Sequence, residues 1–201
     1  PDLVGFGRRS MNCSAQEIVA LMQYQIAAME GMAACQGLTL RYVKPHGALY
    51  NDMMAKAPVR QAIMRAVSNY PTRVSNNGTQ SPPLKLMLQA NAHSQEYLQQ
   101  AKELELELYF EAFADRCYED DGSLMARSKA GAVLDHDAML KQVQQLTQHG
   151  TITSASGTTL HLKVDSLCVH GDNDAGIAAI QSIRQLMDYP STSRAWSRCI
   201  T

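Results

Sequence analysis

Tyr42-Val43-Lys44-Pro45-His46-Gly47-Ala48-Leu49-Tyr50-Asn51 is the stretch on which the fold turns. The apolar run from Leu38 to Val43 stops abruptly at Lys44, Pro45, His46 and Gly47, and helical spacing resumes soon after Asn51. That order predicts a strand over 38–44, a tight turn and then a helix. In α/β proteins chemistry gathers at the carboxyl ends of strands, where side chains converge on a crevice in a rigid frame. Lys44 and His46 therefore qualify as site residues, although a turn alone would also call for Pro45 and Gly47.

Upstream, Pro1 to Arg9 reads as a loop, with Gly5 and Gly7 around Phe6. Arg8 and Arg9 beside flexible backbone suit a carboxylate or phosphate, or simply stand in water. Ser14 and Glu17 have the spacing of a capping box, and Ile18, Leu21, Met22, Ile26 and Met29 recur at helical spacing, so a helix over 15–35 is expected. Its methionines, Met32 included, read as core filler.

Downstream, Asn51 or Asp52 is expected to cap a short helix. Pro58 suits the first turn of its continuation through Val59, Ile63 and Val67. Residues 71–83, rich in Pro, Ser, Asn and Gly, predict a loop, Leu84–Leu88 a second buried strand, and Ser94–Lys102 a helix. From Leu104 to Phe113 leucine and glutamate alternate with period two. Both favour helix singly, but the period predicts a strand.

That strand runs into Glu111, Asp115, Arg116 and the acidic loop Glu119-Asp120-Asp121-Gly122. Charges again collect at a strand's carboxyl end, although Asp115 with Arg116 also fits an ion pair within the loop, and Glu111 a packing acid. Residues 135–149 predict an amphipathic helix with Met139, Val143 and Leu146 on one side, stopped by Gly150. Thr151–Asp165 predicts a hairpin outside the main sheet, turning at Gly157. Ser166-Leu167-Cys168-Val169 is a short apolar strand that delivers His170, Gly171 and Asp172 before a helix through Ile177, Ile180 and Ile183. Gly171 and Gly176 have Walker A glycine spacing, but Ile177 and Ala178 stand where lysine and a hydroxyl are required. Asp172 and Asp174 would also repel phosphate at that helix start. The tail from residue 188 has neither period nor turn logic and is expected to be loose.

The 201 residues fit one domain, expected over 1–187. With 45% hydrophobic residues, 18% charged and a net charge of -1, neither disorder nor nucleic-acid binding is suggested. Cys13, Cys35, Cys117, Cys168 and Cys199 are odd in number and include no Cys-x-x-Cys pair, which argues against a disulfide framework and points to the cytoplasm. No uninterrupted apolar run approaches the roughly 18 residues of a membrane span, and no signal sequence opens the chain. A start at Pro1 without methionine reads as a fragment or processed product. Strands separated by helices predict parallel strands in a sheet or barrel with right-handed crossovers.

Together, Lys44-Pro45-His46-Gly47-Ala48-Leu49-Tyr50-Asn51, Phe113-Ala114-Asp115-Arg116 and Cys168-Val169-His170-Gly171-Asp172 resemble the LamB/YcsF family, the A subunits of 5-oxoprolinase. Gly5-Phe6-Gly7-Arg8-Arg9 resembles it too, and the likeness runs to about residue 187. It implies a distorted β/α barrel related to the sugar deacetylases, working with two partner subunits, B and C, in ATP-dependent opening of 5-oxoproline to glutamate. It also implies an upstream Asn-x-Asp-x-Gly-Glu strand and a second segment rich in Cys, His, Gly and Asp. Neither occurs here, so the barrel is expected to be incomplete and shortened at its amino end.

A lactam is an unactivated amide, and phosphorylating its oxygen makes the carbon more electrophilic and improves the leaving group. The site then needs cations for phosphate or carboxylate and groups that move protons. Lys44, Arg116, Arg8 and Arg9 are the candidate cations. His46, His170 and Asp172 are the candidate proton carriers, with Asp115 or Glu111 to orient one of them. ATP, with magnesium as its counter-ion, is the expected cofactor. No ATP-binding motif is visible, which points to nucleotide held chiefly by a partner subunit. Two other readings remain open: a metal-dependent amide or deacetylase-type hydrolase with His46, His170 and Asp172 as ligands, and a non-catalytic scaffold.

Overall fold

The computed structural model describes residues 2–72, 80–171 and 174–188. In chain order the elements are α1 (Ala15–Cys35), β1 (Tyr42–Val43), α2 (Ala48–Ala55), α3 (Ala57–Ser68), β2 (Lys85–Gln89) and α4 (Ser94–Lys102), followed by β3 (Leu108–Phe113), α5 (His136–His149), β4 (Thr151–Thr153), β5 (Thr159–His161), β6 (Ser166–Cys168) and α6 (Asp174–Asp188). Tyr42 and Val43 of β1 lie parallel to Lys85 and Leu86 of β2. Glu111, Ala112 and Phe113 of β3 lie parallel to Ser166, Leu167 and Cys168 of β6. The strand order is β1-β2-β3-β6, and β4 pairs with β5 as a separate antiparallel hairpin, as the sequence predicts. Helices between parallel strands make the fold α/β.

Backbone contacts group the described residues into two compact units, one from 1–88 and 96–109, the other from 89–95 and from residue 110 onward. In the first, the capping box at Ser14 and Glu17 starts α1 as expected, and α1 packs on α3. Only Ile18, Met22 and Ile26 of α1 are buried, one turn apart on a single face. Met29 and Met32, read from the sequence as core residues, are instead 61% and 70% exposed, and Tyr24 is 72% exposed. Helical spacing says which residues share a face, not how wide a partner that face meets. By length and composition α1 could also cross a membrane, a property hidden from a count of uninterrupted apolar residues because Gln25 and Glu30 break the run.

Two strands begin later than the sequence suggests, and for one reason. The strand expected from Leu38 is confined to Tyr42–Val43, because Leu38 belongs to the end of α1. Its N–H reaches the Ala33 carbonyl at 2.9 Å and that of Gly37, at φ 68°, reaches Ala34 at 3.1 Å. This is a Schellman cap, with glycine in the left-handed position. At the end of α4 the Leu106 N–H reaches Ala101 at 3.0 Å and that of Glu105 reaches Lys102 at 3.2 Å, with Glu105 itself at φ 50°. The strand expected from Leu104 therefore starts at Leu108. The first helix after β1 also starts earlier than expected. Gly47, not Asn51 or Asp52, is its N-cap, and Asp52 bonds Ser10 and Lys56 instead.

In the second unit Asp135 caps α5 by accepting the Ala138 N–H at 2.9 Å, and Gly150 ends the helix at φ 67°. Met139, Val143 and Leu146 are buried as predicted, along with Phe110, Ile152 and Ile183. Ile177 and Ile180 of α6 are 55% and 37% exposed. Most of the 71–83 loop and the tail from 189 lie outside the described residues.

Candidate active site

In the second unit the β3 strand carries Phe113 into Ala114, Asp115 and Arg116, and β6 carries Cys168 toward His170. The Ala114 N–H donates to the Cys168 carbonyl at 2.8 Å, which extends the ladder by one bond beyond the paired strands. His170 Nδ1 then lies 3.0 Å and 2.8 Å from the two carboxylate oxygens of Asp115. The Asp115 side chain is 1% exposed and that of His170 is 27% exposed. A carboxylate only accepts, so Nδ1 is the donor and the neutral ring carries its lone pair on Nε2. Phe113 stacks on the imidazole, with centroids 5.5 Å apart and planes 18° apart. The ring is thus fixed by one hydrogen bond in its plane and by one apolar face.

Beside the pair lies a buried polar layer, of which the sequence reading missed Tyr118 and Gln142. Tyr118, fully buried, accepts the Phe113 N–H on its hydroxyl at 2.7 Å, and burial pushes the phenol well above its usual range. Gln142 of α5 donates from Nε2 to the carbonyls of Phe113 at 2.9 Å, Ala114 at 3.1 Å and Arg116 at 2.9 Å. Its signal in the sequence is a polar residue inside the apolar stripe Met139, Val143, Leu146. Arg116 is buried, with Nε donating to the Ala132 carbonyl at 3.2 Å and Nη2 to that of Met125 at 2.5 Å. Its guanidinium thereby pins the loop after β3. Glu111 is fully buried on β3, opposite Ser166.

In the first unit the end of β1 leads through Lys44 and Pro45 into the turn. His46 is exposed, and its Nε2 donates to the Phe6 carbonyl at 3.0 Å, with Phe6 meeting the imidazole edge-on. Gly47 has φ 61°, and a Cβ there would lie 2.4 Å from the Gly7 carbonyl oxygen. That oxygen accepts the Ala48 N–H at 2.8 Å, so the turn and the opening loop are built on each other. Arg9 pairs with Asp2, Arg8 is exposed, and the Lys44 ammonium lies 5.9 Å from the Tyr50 ring centre. A cavity of about 1010 Å³ opens here, bordered by Lys44, His46 and Arg9 and by Met22, Ile26 and Met29 of α1.

Of the site residues expected from sequence, Asp115 and His170 are brought together, as are Lys44 and His46 with the loop bearing Arg8 and Arg9. Asp172 lies outside the described residues. Among the described residues no group of three or more His, Cys, Asp or Glu is placed to hold a metal ion. Cys13, Cys35, Cys117 and Cys168 form no disulfide with one another.

Residues 1–196 match the family model described as LamB/YcsF. The chain belongs to the LamB/YcsF family. Its relatives in that family include proteins named as the A subunit of 5-oxoprolinase. One from Chromohalobacter salexigens is 43% identical over 94% of this chain and 72% of the relative, and one from Vibrio parahaemolyticus is 42% identical over 92% and 69%. A 5-oxoprolinase A subunit numbered 2, from Pseudomonas putida, is 44% identical over 94% and 69%. Among solved structures the chain resembles the lactam utilization protein of Thermus thermophilus, with a TM-score of 0.78 and 31% identity over 93% of this chain and 70% of that one. The LamB/YcsF fold expected from the sequence, a distorted and incomplete β/α barrel of parallel strands, is the one observed.

Proposed function

We propose that this chain acts in hydrolysis of the lactam of 5-oxo-L-proline to L-glutamate, as the A subunit of an ATP-dependent 5-oxoprolinase. The observation that carries the reading is His170, held by the buried Asp115 at the end of a parallel strand, in a chain 43% identical to a 5-oxoprolinase A subunit. An imidazole bonded through Nδ1 to a carboxylate presents Nε2 as a base. In lactam opening that base takes a proton from the attacking water and returns it to the ring nitrogen as the C–N bond breaks.

ATP would supply the activation: its terminal phosphoryl group would pass to the lactam oxygen with release of ADP, ring opening by the first water would leave a γ-glutamyl phosphate, and a second water would release inorganic phosphate to give glutamate. Cations suited to phosphate are Lys44, Arg8 and Arg9 near the end of β1 and Arg116 after β3; Arg9 also pairs with Asp2, and Arg116 donates to the Ala132 and Met125 carbonyls. The names of the relatives imply further subunits in those proteins, and we assign this chain two partners of that kind and a cytoplasmic setting. A metal-dependent hydrolase is the competing reading.

The test is glutamate release from 5-oxoproline, comparing this chain plus the B and C subunits of a relative against those subunits alone, with and without ATP. Glutamate formed only with the chain and with ATP is the expected result. Glutamate without ATP but abolished by a chelator would replace the reading with metal hydrolysis, and none at all would reduce the chain to a non-catalytic scaffold.

A further inference from the structure

The Asp115 carboxylate is useful only if it points at His170, and its direction is set by the two peptide planes that flank its Cα. The Ala114 and Asp115 carbonyls lie in those planes, and those of Phe113 and Arg116 in the planes next along the chain. That of Asp115 accepts the Leu134 N–H at 2.9 Å, and the other three, from Phe113, Ala114 and Arg116, converge on Nε2 of Gln142 at 2.9 to 3.1 Å. A primary amide has two hydrogens, so at least one of them is shared. The convergence also fixes the amide's orientation, since Oε1 in that place would face three acceptors. Gln142 is 9% exposed and sits on α5 between Met139 and Leu146, a buried position in an otherwise apolar stripe. The three carbonyls account for its polarity.

We propose that Gln142 is a positioning residue for the Asp115–His170 pair: by gathering the carbonyls on both sides of Asp115 it aims the carboxylate at Nδ1 and so selects the tautomer with its lone pair on Nε2. The positioning itself is independent of the reaction, while its effect on turnover rests on the reading of His170 given above. Gln145, one turn further along α5, is the natural control. It donates to the Thr151 hydroxyl at 3.1 Å and accepts from that of Thr153 at 3.0 Å, so these hydrogen bonds join helix and hairpin.

The experiment is nitrogen NMR of the histidine rings in the full chain, comparing wild type with Gln142→Met and Gln145→Met. His170 is assigned by its loss in His170→Gln. Gln142→Met is expected to turn a ring protonated at Nδ1 into a mixture of tautomers, and to lower kcat in the reconstituted assay about tenfold or more with KM changed less than about twofold. Gln145→Met is expected to lower Tm and leave the tautomer as it is. Should the methionine variant fail to fold, Gln142→Asn keeps the amide but draws it back by one methylene and gives the same comparison. An unchanged His170 tautomer in a folded Gln142 variant overturns the proposal, whatever happens to Tm. A shifted tautomer in a protein with no lactam-opening activity keeps the positioning role and removes the catalytic one.

Discussion

At the scale of single residues, the Asp115–His170 pair makes a sharp kinetic prediction. Under the proposed function, in which His170 carries the proton, His170→Gln should lower kcat by about a hundred- to ten-thousandfold, the range of a positioned acid–base group. Asp115→Asn should act in the same direction by another route, since an amide nitrogen facing Nδ1 favours the ring protonated at Nε2, with no lone pair there to accept a proton. Steady-state kinetics beside thermal melts separate these effects from unfolding. Asp2 offers a second prediction, on pH. The hydrogen bond from Arg9 holds its carboxyl well below the usual 3.8, at about 2. Folded chain therefore binds fewer protons there than unfolded chain. The link adds to stability above about pH 4 and fades as pH falls toward 2. Arg9→Leu should move the Asp2 midpoint back up, as read by NMR titration of the carboxyl carbon.

At the scale of elements, the helix ends explain what sequence patterning reads and what it misreads. The capping box at Ser14 and Glu17 and termination at Gly150 were legible because each rests on local chemistry, whereas the cap at Asp135 was not singled out and residue 135 was read as part of the helix. The false strand starts at Leu38 and Leu104 share a cause. A Schellman cap bends the chain back and places apolar residues just beyond the helix, where they look like the beginning of an alternating strand. At the first cap Gly37 was the clue. At the second the left-handed position is held by Glu105, so no glycine announced the turn. That residue carries avoidable strain, and Glu105→Gly should stabilise the chain by about 1 kcal/mol less the entropy glycine adds to the unfolded state. Urea unfolding would measure it, and a loss of stability would mean that the carboxylate contributes more than its backbone costs.

At the scale of the whole chain, the parallel α/β order was legible from apolar runs ending in polar turns, and the nearness of Asp115 and His170 from their delivery at two such ends. The buried support was not legible. Tyr118 and Gln142 act on backbone groups 5 and 26 to 29 positions away, and periodicity carries no information about such partners. Nor could the period of α1 reveal that most of its apolar surface is uncovered in this chain. Met32→Gln and Tyr24→Gln should therefore change stability by less than about 0.5 kcal/mol while lowering aggregation, checked by melting and light scattering.

The mutual support between the opening loop and the β1 turn has a practical side. Arg8 and Arg9 are both exposed, which makes them ready cleavage points for trypsin-like proteases during expression. A cut there would carry off the Phe6 carbonyl that holds the His46 ring and the Gly7 carbonyl that caps α2. Batches clipped by nine residues would look nearly full length on a gel yet differ in the turn that carries Lys44 and His46, so intact mass belongs beside every activity value.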